Sequence, residues 1–217
     1  MNKLLHKELK LTVTLLTYLF IAFGFMALLP GYPILLGAFF VSFGIFQTFQ
    51  SAREANDIIY SALLPVSKAD VVKSKFVSAV FIELCGFAIM AVLTLIRMTV
   101  LKDAAVYRAN ALMTANFVFL GFALLIFGCF NAVFIGGFFK TAYYYTKPFI
   151  LFIIAAFIII GAAETLHHIP GFEAVNAFGF EHLALQLSAL VGGMILFAVL
   201  TLLSLKASVS NFEKIDL

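Results

Sequence analysis

Between Lys10 and Arg53 the chain reads LTVTLLTYLFIAFGFMALLPGYPILLGAFFVSFGIFQTFQSA, 42 residues (11–52) without one Asp, Glu, Lys or Arg. A membrane-crossing helix needs about 20 apolar residues, so this run is too long for one crossing and about right for two. Its interruption is Pro30-Gly31-Tyr32-Pro33, where two prolines and a glycine end one helix and begin another. The expected spans are Leu11–Leu29 and Gly31–Phe49, joined by a very short turn.

The rest of the chain follows suit. Of its 217 residues, 64% are hydrophobic and 12% charged, against about 45–50% and about 25% in soluble domains. Mean hydropathy is +1.10. That excludes a soluble globular domain, a disordered chain and a nucleic-acid-binding chain. Further apolar runs cover Phe76–Leu101, Asn110–Phe139, Pro148–Leu166 and His182–Leu205, giving six expected crossings. The runs are continuous rather than alternating, so helices and not barrel strands are expected. The first run is longer than a signal-peptide core and lacks a small-x-small cleavage site, so it reads as a retained helix. Cys85 and Cys129 sit inside apolar runs and read as packing residues.

Charge sets the orientation. Lys3, Lys7, Lys10, Arg53, Lys68, Lys73, Lys75, Lys140, Lys147, Lys206 and Lys214 fall on one side, 11 of the 14 basic residues, and Arg97, Lys102 and Arg108 on the other. The split agrees with six crossings and both termini in the cytoplasm. The chain is one transmembrane domain over 1–217, with a basic amphipathic helix at 1–10, a cytoplasmic helix at 51–66 and an outer loop with short helices at 167–181.

The cytoplasmic segment Ser51–Pro65 carries the functional signal. Ala55, Ile58, Ile59, Ala62 and Leu63 follow helical spacing and form an apolar face. Arg53, Asp57, Tyr60 and Leu64 fall opposite, with Glu54 and Asn56 at the sides. A three-turn amphipathic helix is expected, stopped at Pro65, and Ser67 with Asp70 forms a variant capping box that starts the next span.

This segment resembles a family. Ala52-Arg53-Glu54-Ala55-Asn56-Asp57-Ile58, then Tyr60, then Leu64-Pro65-Val66-Ser67-Lys68-Ala69-Asp70-Val71-Val72 and Lys75, look like the loop after the second helix of ABC type-2 permeases. The narrower likeness is to the small bacterial Pmt-type permeases, which export phenol-soluble modulins. Lys7-Glu8-Leu9-Lys10 is similar to that family's interfacial helix. The resemblance implies a permease of the bacterial plasma membrane that pairs with a second permease chain and with two cytoplasmic ATPase subunits. It implies that the loop helix is a coupling helix docking on the ATPase through Arg53, Glu54, Asn56, Asp57, Ile58 and Tyr60. ATP and magnesium would bind the ATPase and not this chain, and the substrate would be an amphipathic peptide or similar compound.

The residues agree with that division of labour. No phosphate loop occurs; Gly136-Gly137-Phe138-Phe139-Lys140-Thr141 lacks the required glycine and spacing. The chain reads as a transport subunit and not an enzyme. The alternative is a membrane-embedded enzyme or channel with no ATPase partner, but protease, head-group transferase and filter motifs are all missing.

Three polar residues lie inside the apolar runs. Glu83 is open to three roles: gate partner, substrate contact or helix–helix hydrogen bond. Arg97 is placed to snorkel to the outer surface or to pair with an outer-loop glutamate. Asn131 reads as a helix–helix hydrogen bond. Gly121, Gly128, Ala132 and Gly136 share one face of their span, and Ser188 with Gly192 and Ala189 with Gly193 do the same in the last, inviting close packing. The outer-loop histidines and acids, from Glu164 to His182, show no metal-binding spacing.

Overall fold

The computed structural model describes residues 2–63 and 65–215. Leu64, expected on the polar face of the cytoplasmic helix, lies outside the described residues, as do the side chains of Ala62 and Leu63 on its apolar face. Every regular element is helical among the described residues.

Chain entry is amphipathic. Helix α1 (Asn2–Lys7) runs on into a π-helical turn, Glu8–Thr12. Val13 is extended, Thr14 caps the next helix by accepting from the Thr17 amide, and the axis bends by 88°. Helix α2 (Leu15–Ile21) then tightens into a 3₁₀ segment, Ala22–Leu28. Rises of 1.5 and 2.0 Å per residue give these fourteen residues only about 25 Å, short of a hydrocarbon core of about 30 Å.

The 88° bend at Val13–Thr14 separates the N-terminal helix, expected at 1–10, from the apolar stretch that follows, which starts at Leu15 rather than Leu11. Thr17 donates to the Gly44 carbonyl at 2.7 Å and shares a hydrogen bond with Thr48 at 2.8 Å, so the 11–29 run is tied sideways to its neighbour. Helix α3 (Leu36–Glu54) is that neighbour. Its last turns carry Gln47, Gln50, Ser51, Arg53 and Glu54, and this polar end makes it too polar over its length to rank as a span on composition.

Among the described residues, four helices are long and apolar enough to cross a membrane: α5 (Lys68–Thr99, after α4, Asp57–Leu63), the stretch Phe117–Phe138, α9 (Thr146–Leu166) and α10 (Leu183–Glu213). The bent pair makes up to five. Helix α6 (Ala105–Arg108) precedes Phe117–Phe138, which itself comprises α7 (Phe117–Cys129), a π-helical turn at Phe130–Ile135 and α8 (Gly136–Phe138). Ser67 caps α5 by accepting from the Asp70 amide at 3.0 Å, as the sequence predicts. Asn116 caps α7 by accepting from the Val118 and Phe119 amides.

Phe117–Phe138 is the centre of the bundle. Phe119, Phe127, Phe130 and Phe134 are fully buried; Phe134 packs on Phe46 and Phe49 of α3 and Phe149 of α9, and Phe130 on Phe152 of α9. Glycines bring α10 against it: a Cβ on Gly121 would stand 2.5 Å from the Ala189 carbonyl oxygen. The phenylalanine abundance is therefore largely a packed core rather than a lipid-facing coat, while α9 and α10 keep long exposed apolar faces.

Candidate functional site

One end of the bundle gathers α1, α4, the start of α5, the α8–α9 loop and the end of α10. At its heart are two cations and two anions. Lys75 donates to Glu8 Oε2 at 3.0 Å and to Asp57 Oδ2 at 2.8 Å. Lys7 pairs with Asp57 Oδ1 and with Glu8 Oε1, and donates to Ser61 Oγ at 2.8 Å. The Lys75 and Glu8 side chains are 4% and 2% exposed, so water cannot substitute for these partners. Burial pushes the Asp57 carboxyl up, but the Lys75 and Lys7 ammonium groups outweigh it and hold the group below its ordinary range.

This arrangement corrects the expected position of Asp57 on an exposed face. The α3 helix ends at Glu54, and Asn56 takes a left-handed φ of 53° between α3 and α4. The break resets the helical phase, so a wheel drawn through Ser51–Pro65 does not hold. Asp57 begins α4 turned inward. Ile58 and Ser61 are buried, whereas Ile59, expected on the apolar face, is 45% exposed and Tyr60 is 66% exposed. The expected three-turn helix is two pieces: the last turn of α3 and a seven-residue α4.

The neighbouring predicted residues are placed as follows. The Arg53 guanidinium lies over the Tyr143 ring at 4.3 Å and near Tyr145 at 5.8 Å, which ties α3 to the α8–α9 loop. Glu54 accepts from Gln50 on its own helix at 3.3 Å. Asn56 is the corner itself, its carbonyl accepting from the Tyr60 amide. Lys68 donates to the Ile215 carbonyl at 2.6 Å, which brings the C-terminal end to the same place.

Lys75 and Glu8 stand in the stretches that carry the resemblance but are given no role at the site there, yet a signal existed. Val71, Val72, Lys75, Phe76, Ala79, Ile82 and Glu83 form one buried stripe of α5, so Lys75 is a charge on an apolar face. Glu8 is likewise the acid set apart from the basic face of Lys3, His6, Lys7 and Lys10, in line with buried Leu4.

Glu83 is fully buried and accepts from Asn131 Nδ2 at 3.0 Å. Asn131 Nδ2 also donates to Thr201, and the Asn131 carbonyl accepts from Ser204 at 2.7 Å. These bonds join α5, the π turn and α10, so the pair brings together two of the predicted residues. The extra residue of a π turn re-aims a side chain and recurs at functional sites.

Arg97 neither snorkels nor meets an outer glutamate. It is 5% exposed, donates to the Ala27 carbonyl at 2.9 Å and to Thr114 Oγ1 at 3.3 Å, and lies over the Tyr107 ring at 4.0 Å. The backbone kept open by the 3₁₀ segment supplies an acceptor nearer than any carboxylate. Glu164 is instead taken by the Met113 amide at 2.8 Å.

A family model for ABC-2 family transporter proteins matches residues 3–213, nearly the whole chain. The chain belongs to that family. It is thus a membrane-embedded permease of an ABC transporter, a transport subunit and not an enzyme. Permeases of this family generally work with ATPase subunits and dimerise. No protein of curated function and no solved structure matched the chain.

The apolar helices agree with a multi-pass membrane protein. The two ends of the permease differ in kind: α4, Asp57 and the lysines at one, Arg97, Tyr107 and the loop between α9 and α10 at the other. Among its described residues, the ion cluster is the largest charged assembly inside the protein.

Proposed function

We propose that this permease is the membrane subunit of an ATP-driven exporter whose ATPase subunits bind at the end carrying α4. The chain crosses the bacterial plasma membrane six times with both termini cytoplasmic, α2 and α3 serving as the two less regular spans. Two such chains, or this chain and a related one, pair around the pathway. ATP and magnesium act on the partner ATPase. The substrate is an amphipathic peptide or a similar hydrophobic compound, of the kind the Pmt-type likeness suggests.

The observation that carries this reading is the construction of α4. Its inner side is fastened by Asp57 and Ser61 to Lys7 and Lys75, while Ile59 and Tyr60 stand outward. A short helix fixed on one side and apolar-aromatic on the other suits the transfer of an ATPase movement to α5. Asp57 contributes by fastening, and Ile59, Tyr60 and Glu54 by contact. Arg53 and Asn56 hold the corner between α3 and α4, and Ile58 anchors it.

The test is copurification with the cognate ATPase followed by transport in proteoliposomes. Tyr60→Ala and Ile59→Ser permeases are expected to insert and fold normally, yet to capture less ATPase and lose most transport. Full ATPase capture and transport by both variants would overturn the reading.

A further inference from the structure

A cleft of about 760 Å³ lies between the π turn of Phe117–Phe138 and the start of α9. Its walls are largely apolar, with Val133 on one side and Ile150 and Leu151 on the other, while the exposed Lys140 and Lys147 also line it. Gly137 makes the junction beneath it tight: a Cβ there would lie 2.8 Å from the Pro148 Cβ. None of the lining residues is acidic.

Lys7 and Lys75 are neutralised by Asp57 and Glu8, Lys68 donates to a backbone carbonyl, and Arg53 lies on tyrosine rings. Other basic residues of this end without an acid beside them among the described residues, such as Lys73 and Lys206, do not line the cleft. Lys140 and Lys147 have no acidic partner among the described residues. A largely apolar cleft with an unneutralised pair of ammonium groups in its lining calls for a ligand with an anionic head and a hydrocarbon tail. Ile154, Phe157 and Ile158 follow Ile150 and Leu151 at helical spacing on α9 and are exposed, a track for an acyl chain.

We infer that this cleft is a binding site for an anionic phospholipid of the cytoplasmic leaflet, its phosphate between Lys140 and Lys147 and one acyl chain along Val133, Ile150 and Leu151. The inference rests on the cytoplasmic orientation of this end. The loop bearing Lys140 also carries Tyr143, over which Arg53 lies. A bound headgroup therefore sits one loop away from the corner that starts α4, and lipid occupancy would steady that corner.

Native mass spectrometry of the purified permease, reloaded with equal phosphatidylglycerol and phosphatidylcholine, tests it without any ATPase. Each lysine near an anionic surface gives a preference of roughly fivefold. Wild type is expected to retain the anionic lipid by more than tenfold. Lys140→Gln/Lys147→Gln is expected to approach parity, and Lys206→Gln/Lys214→Gln to keep the wild-type preference. Parity in the wild type, retention by the first variant, or equal loss in the second overturns the inference. So does displacement of the lipid by inorganic phosphate alone. The lipid result stands or falls separately from ATPase capture by Tyr60→Ala, so the two failures are distinguishable.

Discussion

Asp57 Oδ2 and Lys75 Nζ lie 2.8 Å apart, joining the short helix α4 to the long helix α5 where Lys75 is almost wholly buried. Because Glu8 and Lys7 complete the assembly, removal of any one member leaves an odd buried charge. Breaking a buried pair in this way costs about 3–5 kcal/mol. Asp57 keeps a little exposure, so Asp57→Asn is expected at the low end, about 3 kcal/mol, read as a lower unfolding midpoint in detergent. Adding Lys75→Met, which removes the orphaned charge, restores part of the loss. If the single variant unfolds at the wild-type midpoint, the cluster does not hold α4 in place.

The same contact has a pH signature. The Asp57 carboxyl is held below its ordinary range in the folded chain. A depressed carboxylate gives stability that is fully present above its unfolded pKa, about 3.9, and is lost as pH falls through the lower folded value. The stability difference between wild type and Asp57→Asn should therefore be constant from neutral pH to about pH 5 and shrink only below about pH 4. A difference that fades between pH 7 and pH 5 would contradict the assignment.

Arg97 offers a second test, at the other end. It combines two hydrogen bonds with stacking on Tyr107, and a lysine has neither the planar fork nor the ring-stacking face. Arg97→Lys is expected to lower stability by about 1–3 kcal/mol. Tyr107→Leu should lose less alone and add little once Arg97 is gone. Additive losses, measured by a double-mutant cycle, would show the two side chains to be independent.

How far the sequence speaks differs between these sites. The helical class, the Ser67 cap, the Pro30–Pro33 turn and the gathering of basic residues at one end follow from local composition and charge. Local signals failed where partners lay far along the chain. Glu8 and Lys75 are 67 residues apart, and no periodicity within one helix reports such a bond. The wheel at Ser51–Pro65 failed because it assumes an unbroken helix, and the left-handed Asn56 breaks it. Thr17 likewise ties the first apolar run to α3 through Thr48, a partner 31 residues along the chain.

Glu83 and Asn131 were legible as polar residues in apolar runs, though not as partners. Their 3.0 Å bond joins α5 to the π turn, and Thr201 and Ser204 on α10 extend it. A double-mutant cycle with Glu83→Gln and Asn131→Leu is expected to give a coupling of about 0.5–1.5 kcal/mol, the scale of hydrogen bonds between membrane helices. Asn131→Leu should be the more destabilising single change, because it also strips a partner from Thr201. Zero coupling would mean the two groups do not meet in the folded chain.

The glycines of α10 make the sharpest contrast, since neighbours in sequence have opposite surroundings. A Cβ on Gly193 would stand 2.4 Å from the Gly121 carbonyl oxygen, a backbone atom that cannot swing aside, whereas a Cβ on Gly192 would meet nothing within 4 Å. Gly193→Ala must therefore push α10 away from α7 and is expected to lower stability by about 1–3 kcal/mol. Gly192→Ala meets no such contact and relieves glycine's low helix propensity, for a gain of up to about 1 kcal/mol. Unfolding midpoints of the two purified variants decide the matter. Should Gly192→Ala instead abolish pairing of permease chains while leaving the monomer stable, the open face at Gly192 would be the seam between them, because only a second chain could crowd a position that this one leaves empty.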